Sequence, residues 1–176
     1  VSGIFFKPNN ISTSVKPPLV LWIHGGPVAQ DDYQFDMIPQ VLAGAGYAVA
    51  VINYRGSSGR GVDYERAIYA DWGNKEVMDI QGAADYLVAQ GLVDGNKIGI
   101  GGWSYGGILT DYCIASDTRF KAGCSGAGSA MQLSMYGTDE YITQYETELG
   151  VPWKNLDKWM KVSYPFLHAD KIKTPT

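Results

Sequence analysis

Histidine and cysteine are both scarce in this chain, at two residues each in 176. Cys113 and Cys124 make neither the disulfide framework of a small secreted domain nor a metal-ligand spacing, so they are expected to be two buried free thiols. No metal and no cofactor is implied. A basic excess is also missing. Fourteen Lys and Arg against 18 Asp and Glu give a net charge of −4, which leaves no electrostatic footprint for nucleic acid. No apolar run approaches the ~20 residues that a membrane-spanning helix needs, so no membrane segment is expected. An initiating methionine is absent, and the chain closes on Thr174-Pro175-Thr176 directly after Lys171-Ile172-Lys173, without a final helix. Both ends read as cut from something longer, and the compartment is left open. What is present is a globular composition. Hydrophobic residues at 45% and a length of 176 suit one domain with a sizeable core.

The order of elements is legible from periodicity. Val1–Phe6 reads as a strand. Pro18-Leu19-Val20-Leu21-Trp22-Ile23 is a continuous apolar run, as for a strand buried on both faces, and it ends at His24-Gly25-Gly26-Pro27. Ile38, Val41, Leu42 and Ala45 follow helical spacing, and Gly46 suits the left-handed position after a helix. A second buried strand, Tyr47–Ile52, leads into Asn53-Tyr54-Arg55-Gly56. Val77, Ile80, Ala84, Leu87 and Val88 mark a long amphipathic helix. Lys97–Gly101 is again strand-like, Ile108, Leu109, Tyr112, Cys113 and Ala115 are helical in spacing, and Phe120–Ser125 suits a further short strand. Strands alternating with helices in this way predict a mostly parallel, doubly wound α/β sheet, with ligand sites at the carboxyl ends of its strands. His24-Gly25-Gly26, Asn53–Gly56 and Ser104 all fall at such ends.

Gly102-Trp103-Ser104-Tyr105-Gly106 reads G-x-S-x-G between a strand and a helix. A serine in that sharp turn is held in a strained backbone conformation that lifts its hydroxyl clear of the sheet. Strand and helix then approach so closely that positions 102 and 106 must be glycine. The amide of Tyr105 opens the helix and can donate to a developing oxyanion. The rival reading is a dinucleotide-binding loop, because Gly99-Ile100-Gly101 begins like G-x-G-x-x-G; its third glycine would be residue 104, which is serine. The pattern is therefore the nucleophile elbow of an α/β-hydrolase, with Ser104 as candidate nucleophile. A serine needs an imidazole to take its proton and a carboxylate to orient that imidazole, in the chain order Ser, Asp, His. His24 precedes Ser104 and is expected to hold its own loop in shape. His168 follows Ser104, with Asp139 and Asp157 between, but residues 129–167 offer no strands to carry these groups to the site. His168 is read as non-catalytic. Arg55 is read as a brace between loops, and Glu76 and Asp79 as dipole-favoured, loop-anchoring charges at a helix start. Residues 129–176 predict short helices and loops over the strand ends. Most of their aromatics are expected in the core, with Met131, Met135 and Tyr136 as candidate pocket residues.

Four segments, taken in order, carry a family resemblance. His24-Gly25-Gly26-Pro27, Asn53–Gly59, Gly73-Asn74-Lys75-Glu76 with Asp79, and Gly102–Gly107 resemble the catalytic domain of the prolyl oligopeptidase family, in particular its acylaminoacyl-peptidase and dipeptidyl-peptidase branch. The resemblance implies Ser104 as nucleophile, with the amides of Gly26 and Tyr105 as the oxyanion hole. It implies short peptide or acyl substrates and an N-terminal β-propeller that screens them by size, which is not in this sequence. It also implies two further strands carrying the triad aspartate and histidine, and these are expected beyond Thr176. Three functions follow as alternatives: a serine peptidase, an esterase with the same acyl chemistry, or an inactive fragment or binding module that keeps only the shape. A sheet lacking its last strands is expected to expose an apolar edge and to favour self-association.

Overall fold

The computed structural model describes residues 1–9, 12 and 15–176. Five strands form one sheet: β1 (Ser2–Phe6), β2 (Leu19–Ile23), β3 (Ala48–Asn53), β4 (Ile98–Trp103) and β5 (Phe120–Gly126), in the order β1-β3-β2-β4-β5. β1 pairs antiparallel with β3 and every other pairing is parallel. The chain runs from β2 through α1 (Met37–Gly44) to β3. A short helix α2 (Val62–Glu65) and the long α3 (Lys75–Ala89) then carry it over β2 to β4. From β4, α4 (Tyr105–Ser116) leads to β5. The direction of winding reverses at β2, so the loops leaving β2 and β4 part to opposite faces. A crevice opens between them at the carboxyl ends of these neighbouring strands.

Packing follows the period of two along the strands. Leu19, Leu21 and Ile23 of β2 join Ile98 and Ile100 of β4 in one core with Ile80, Ala84 and Leu87 of α3 and Leu109 and Tyr112 of α4. β3 is buried along both faces, but Val20 and Trp22 of β2 are only half-buried. The apolar run at 18–23 therefore predicts more burial than β2 has. Of the helices joining successive strands, α1 alone is wound toward β3, and it does not extend over the whole opposite face. Its side chains follow suit: Pro39 is buried, whereas Ile38 and Val41 are exposed. Asp36 caps α1 by accepting the Ile38 amide at 3.0 Å, and Gly46, at φ +94°, turns the chain out of it. By contrast α4 is buried on nearly every side, because the sheet, α3 and the C-terminal helices enclose it.

Beyond β5 the chain forms α5 (Ile142–Glu148), α6 (Leu156–Lys161) and α7 (Tyr164–Leu167), linked by 3₁₀ turns. Trp159 is fully buried and donates from its indole N–H to the Gly150 carbonyl at 2.8 Å; Tyr145, Leu149 and Val162 join it in the main core. Cys113 is buried, as the sequence predicts, and burial pushes its thiol well above the ordinary range. Cys124 is exposed, which corrects the expectation of two buried thiols. It lies on β5, the edge strand of this sheet. Among the described residues no helix is long and apolar enough to cross a membrane.

Candidate active site

The turn between β4 and α4 has the geometry that its glycines predict. Ser104 sits at φ 57°, ψ −122°, a region that non-glycine residues occupy only when the surrounding structure holds them there. Its amide donates to the Gly126 carbonyl on β5 at 2.9 Å, and its own carbonyl accepts the Ile108 amide at 3.0 Å. Both backbone groups are thus fixed while the side chain stays exposed. A Cβ on Gly106 would lie 2.0 Å from the Ile23 carbonyl oxygen, and one on Gly102 would lie 2.5 Å from the same atom. The end of β2 therefore presses directly against both flanking glycines.

The loop after β2 completes the mouth. A Cβ on Gly25 would meet the Trp103 carbonyl at 2.9 Å and the Ser104 Cβ at 3.2 Å, so this loop passes close beside the serine. Gly26 follows at φ +128°, a conformation that favours glycine. Among the described residues the Gly26 amide has no acceptor. The Tyr105 amide is the first of α4 and has no partner within the helix. Gly26, Ser104 and Tyr105 line one small pocket of about 80 Å³.

Of the three pocket candidates from the 129–176 segment, Met135 lines this pocket. Met131 stands at the head of the 3₁₀ turn before it, where its carbonyl accepts from the Ser134 hydroxyl at 2.7 Å. Tyr136 packs edge-on against Trp153 and Trp159 and donates to Glu146. Neither Met131 nor Tyr136 lines the pocket. Trp72, Gln132, Tyr141, Gln144 and Tyr145 do. Sequence reasoning missed these five because they come from a loop before α3 and from the C-terminal helices, and no local pattern distinguishes them from core or surface residues. Gln132 is almost wholly buried; its side-chain nitrogen donates to the Ser129 carbonyl at 2.8 Å, and its Oε1 has no partner among the described residues.

The surrounding charges hold the loops. Arg55 grips Asp79 with Nε at 2.9 Å and Nη2 at 2.7 Å, and reaches the Lys75 carbonyl at 3.1 Å. The Arg55 amide also donates to Asp79 at 2.8 Å. This forked pair ties the loop after β3 to the start of α3, which is a bracing role. Glu76 lies in the first turn of α3 and accepts the Gly73 loop amide at 2.9 Å; beyond its sequence reading, it is fully buried and receives the Tyr105 hydroxyl at 2.7 Å.

Neither histidine is hydrogen-bonded to Ser104. His168 bonds the Tyr164 carbonyl through Nδ1 at 2.9 Å and stacks on the Tyr164 ring. His24 stacks on Tyr54 with ring centroids 4.4 Å apart. Its Nδ1 donates to the Gly25 carbonyl at 2.7 Å, which leaves Nε2 to accept from the Ser57 hydroxyl at 2.9 Å. Nε2 accepts in this way only in the neutral ring; a protonated ring would donate to Ser57 instead. Burial, only partly offset by the Gly25 hydrogen bond, holds the His24 pKa below the usual 6.5. Below pH 6.5 the unfolded chain therefore takes up the proton before the folded one does, so His24 makes stability fall as the pH falls. Burial raises Asp31 to about 6, which acts in the opposite sense over much of the same range. Melting temperatures from pH 7.5 to 5 should accordingly drop more steeply for the natural chain than for His24→Gln, in which Asp31 is retained. Parallel curves would exclude the neutral-ring assignment.

A mostly parallel sheet with a serine raised on a strained strand-to-helix turn, beside two backbone amides, defines the α/β-hydrolase class. The sequence comparison narrows this class. The model of the prolyl oligopeptidase family matches residues 33–176, and the chain belongs to that family. It is 34% identical over 166 residues to dipeptidyl aminopeptidase BIII of Pseudoxanthomonas mexicana, covering 90% of this chain and 24% of that one. It is 27% identical over 181 residues to the acylamino-acid-releasing enzyme of Rattus norvegicus, covering 98% of this chain and 25% of that one. The structure of Pyrococcus horikoshii acylaminoacyl peptidase superposes with a TM-score of 0.88 at 31% identity, over 98% of this chain and 28% of that one. The chain thus spans about a quarter of the length of the relatives it matches.

Proposed function

We propose that Ser104 is the nucleophile of a serine peptidase that hydrolyses short peptides through an acyl-enzyme. The observation that carries this reading is the elbow itself: a strained, exposed Ser104 facing the same pocket as Gly26 and the Tyr105 amide. In the reaction Ser104 Oγ attacks the substrate carbonyl carbon and loses its proton to an imidazole. The carbonyl oxygen becomes an oxyanion that receives hydrogen bonds from the Gly26 and Tyr105 amides. Collapse of the tetrahedral intermediate breaks the C–N bond, and the imidazole returns the proton to the leaving amine. Water then releases the acyl group by the same two proton transfers.

Among the described residues no histidine bonds Ser104, and the relatives are about four times as long. We therefore place the imidazole and its aspartate outside these 176 residues, which alone are expected to turn over little substrate. A peptide carrying a free or an acylated amino terminus fits the named activities of the relatives. The decisive comparison is hydrolysis of an aminoacyl-anilide against a simple aryl ester by the full-length protein. Both should be cleaved. Ester cleavage with negligible anilide cleavage would replace the peptidase by an esterase, and no cleavage of either would leave a binding module.

A further inference from the structure

One buried ionisable group near the site has no part in the chemistry above. Glu76, in the first turn of α3, is fully buried, and its Oε2 has no hydrogen-bond partner among the described residues. Packing does not explain a carboxylate there, since an apolar residue of similar volume fills a buried position at equal or lower cost. Its Oε1 accepts the Gly73 amide at 2.9 Å and the Tyr105 hydroxyl at 2.7 Å. Tyr105 immediately follows Ser104, and Glu76 is its side chain's hydrogen-bond partner. The Tyr105 ring meets Trp72 edge-on at 5.9 Å and lies 6.4 Å from the Tyr54 ring. Tyr54 in turn donates from its hydroxyl to the His24 carbonyl at 3.0 Å, two residues before Gly26. One carboxylate oxygen therefore anchors the residue that carries one donor amide. Through ring packing it also braces the loop that carries the other.

We propose that Glu76 is a positioning residue for the oxyanion hole: its Oε1 fixes the Tyr105 hydroxyl, and with it the backbone amide that meets the developing negative charge. The inference rests on the reading of Ser104 as nucleophile with the Tyr105 amide as donor. Oxyanion stabilisation depends on donors already aimed at the place where charge appears, so a small displacement of the amide weakens the transition state more than the bound substrate.

The test uses the full-length protein with five variants: Glu76→Met, Glu76→Gln, Tyr105→Phe, the double variant Glu76→Met/Tyr105→Phe, and Ser104→Ala. The readouts are kcat and KM on an aminoacyl-anilide, and the affinity of a peptide boronic acid that forms a tetrahedral adduct with a serine. Displacing a donor costs less than deleting one, so Glu76→Met and Tyr105→Phe should each lower kcat about tenfold with KM within about twofold. Boronate affinity should weaken by the same factor. The double variant should be no slower than Glu76→Met, because both substitutions remove the same Glu76–Tyr105 hydrogen bond. Glu76→Gln keeps an acceptor in place and should stay within about threefold of the natural enzyme. Should Glu76→Met fail to fold, Tyr105→Phe, which removes one oxygen atom, carries the test. Unchanged kcat and boronate affinity in Tyr105→Phe, with Ser104→Ala inactive, would overturn the role of Glu76 alone. Anilide hydrolysis surviving in Ser104→Ala would remove the nucleophile assignment and the inference with it.

Discussion

Replacing Ser104 by alanine should lower peptide-bond hydrolysis by the full-length protein on the order of 10⁴-fold or more, with the fold unchanged. The side chain is exposed and makes no hydrogen bond among the described residues, so its loss leaves no buried group unpaired. The residue's strained backbone, at φ 57°, is expected to relax no worse with alanine than with serine, since both carry a Cβ. Stability and activity should therefore separate cleanly. Melting temperature should stay within a few degrees while turnover disappears, and covalent capture by a fluorophosphonate should be lost with it. The residual rate, if measurable, reflects oxyanion stabilisation by Gly26 and Tyr105 without covalent chemistry. Full activity in Ser104→Ala would mean that another nucleophile carries the reaction.

Gly106→Ala should produce the opposite signature, in which structure and activity fall together. A Cβ there would lie 2.0 Å from the Ile23 carbonyl oxygen, 2.8 Å from its carbon and 2.9 Å from the His24 carbonyl oxygen. All three are backbone atoms at the end of the central strand β2, so no side chain can swing aside. The elbow and β2 must separate, at a cost of roughly 3 kcal/mol or more. For a domain of this size that is a fall in melting temperature on the order of 10 °C. Since the displaced segment also carries Gly25 and Gly26, any protein that still folds should react poorly with a fluorophosphonate. Gly82 supplies the control. It lies in α3, and a Cβ there meets nothing within 4 Å. Gly82→Ala should leave labelling intact and raise stability by about 0.5–1 kcal/mol. A Gly106→Ala protein as stable as the natural one would show that strand and helix do not press together as described.

The contrast between these two positions shows what local sequence reveals. Gly106 was recognisable because G-x-S-x-G between an apolar strand and a helix has a single steric explanation, and the Cβ distances around it agree. The β-α-β order, the capping position of Gly46 and the bracing by Arg55 were recognisable for a similar reason. Each depends on spacing along the chain or on the chemistry of one residue type. The half-burial of Val20 and Trp22 and the exposure of Cys124 were not, because the cover over a sheet face depends on where distant helices come to rest. The same limit applies to the pocket. Met135 ends a 3₁₀ turn that Met131 and Tyr136 flank, and only the tertiary packing puts Met135 in the pocket with Ser104 and Tyr136 against Trp159.

By itself, then, the sequence determined the alternation of strands and helices, the serine on its strained turn and the glycines that must surround it. These features are set by short-range sterics and hydrophobic period. The tertiary structure alone decided that Gly25 passes beside Ser104, that Trp72 and Tyr145 wall the pocket, and that Glu76 lies beneath Tyr105. Those residues are 29 to 79 positions from the partners they meet, counting Glu76 to Tyr105 and Gly25 to Ser104. Contacts over such separations are fixed by the winding of the sheet and the packing of its helices, which no local pattern encodes.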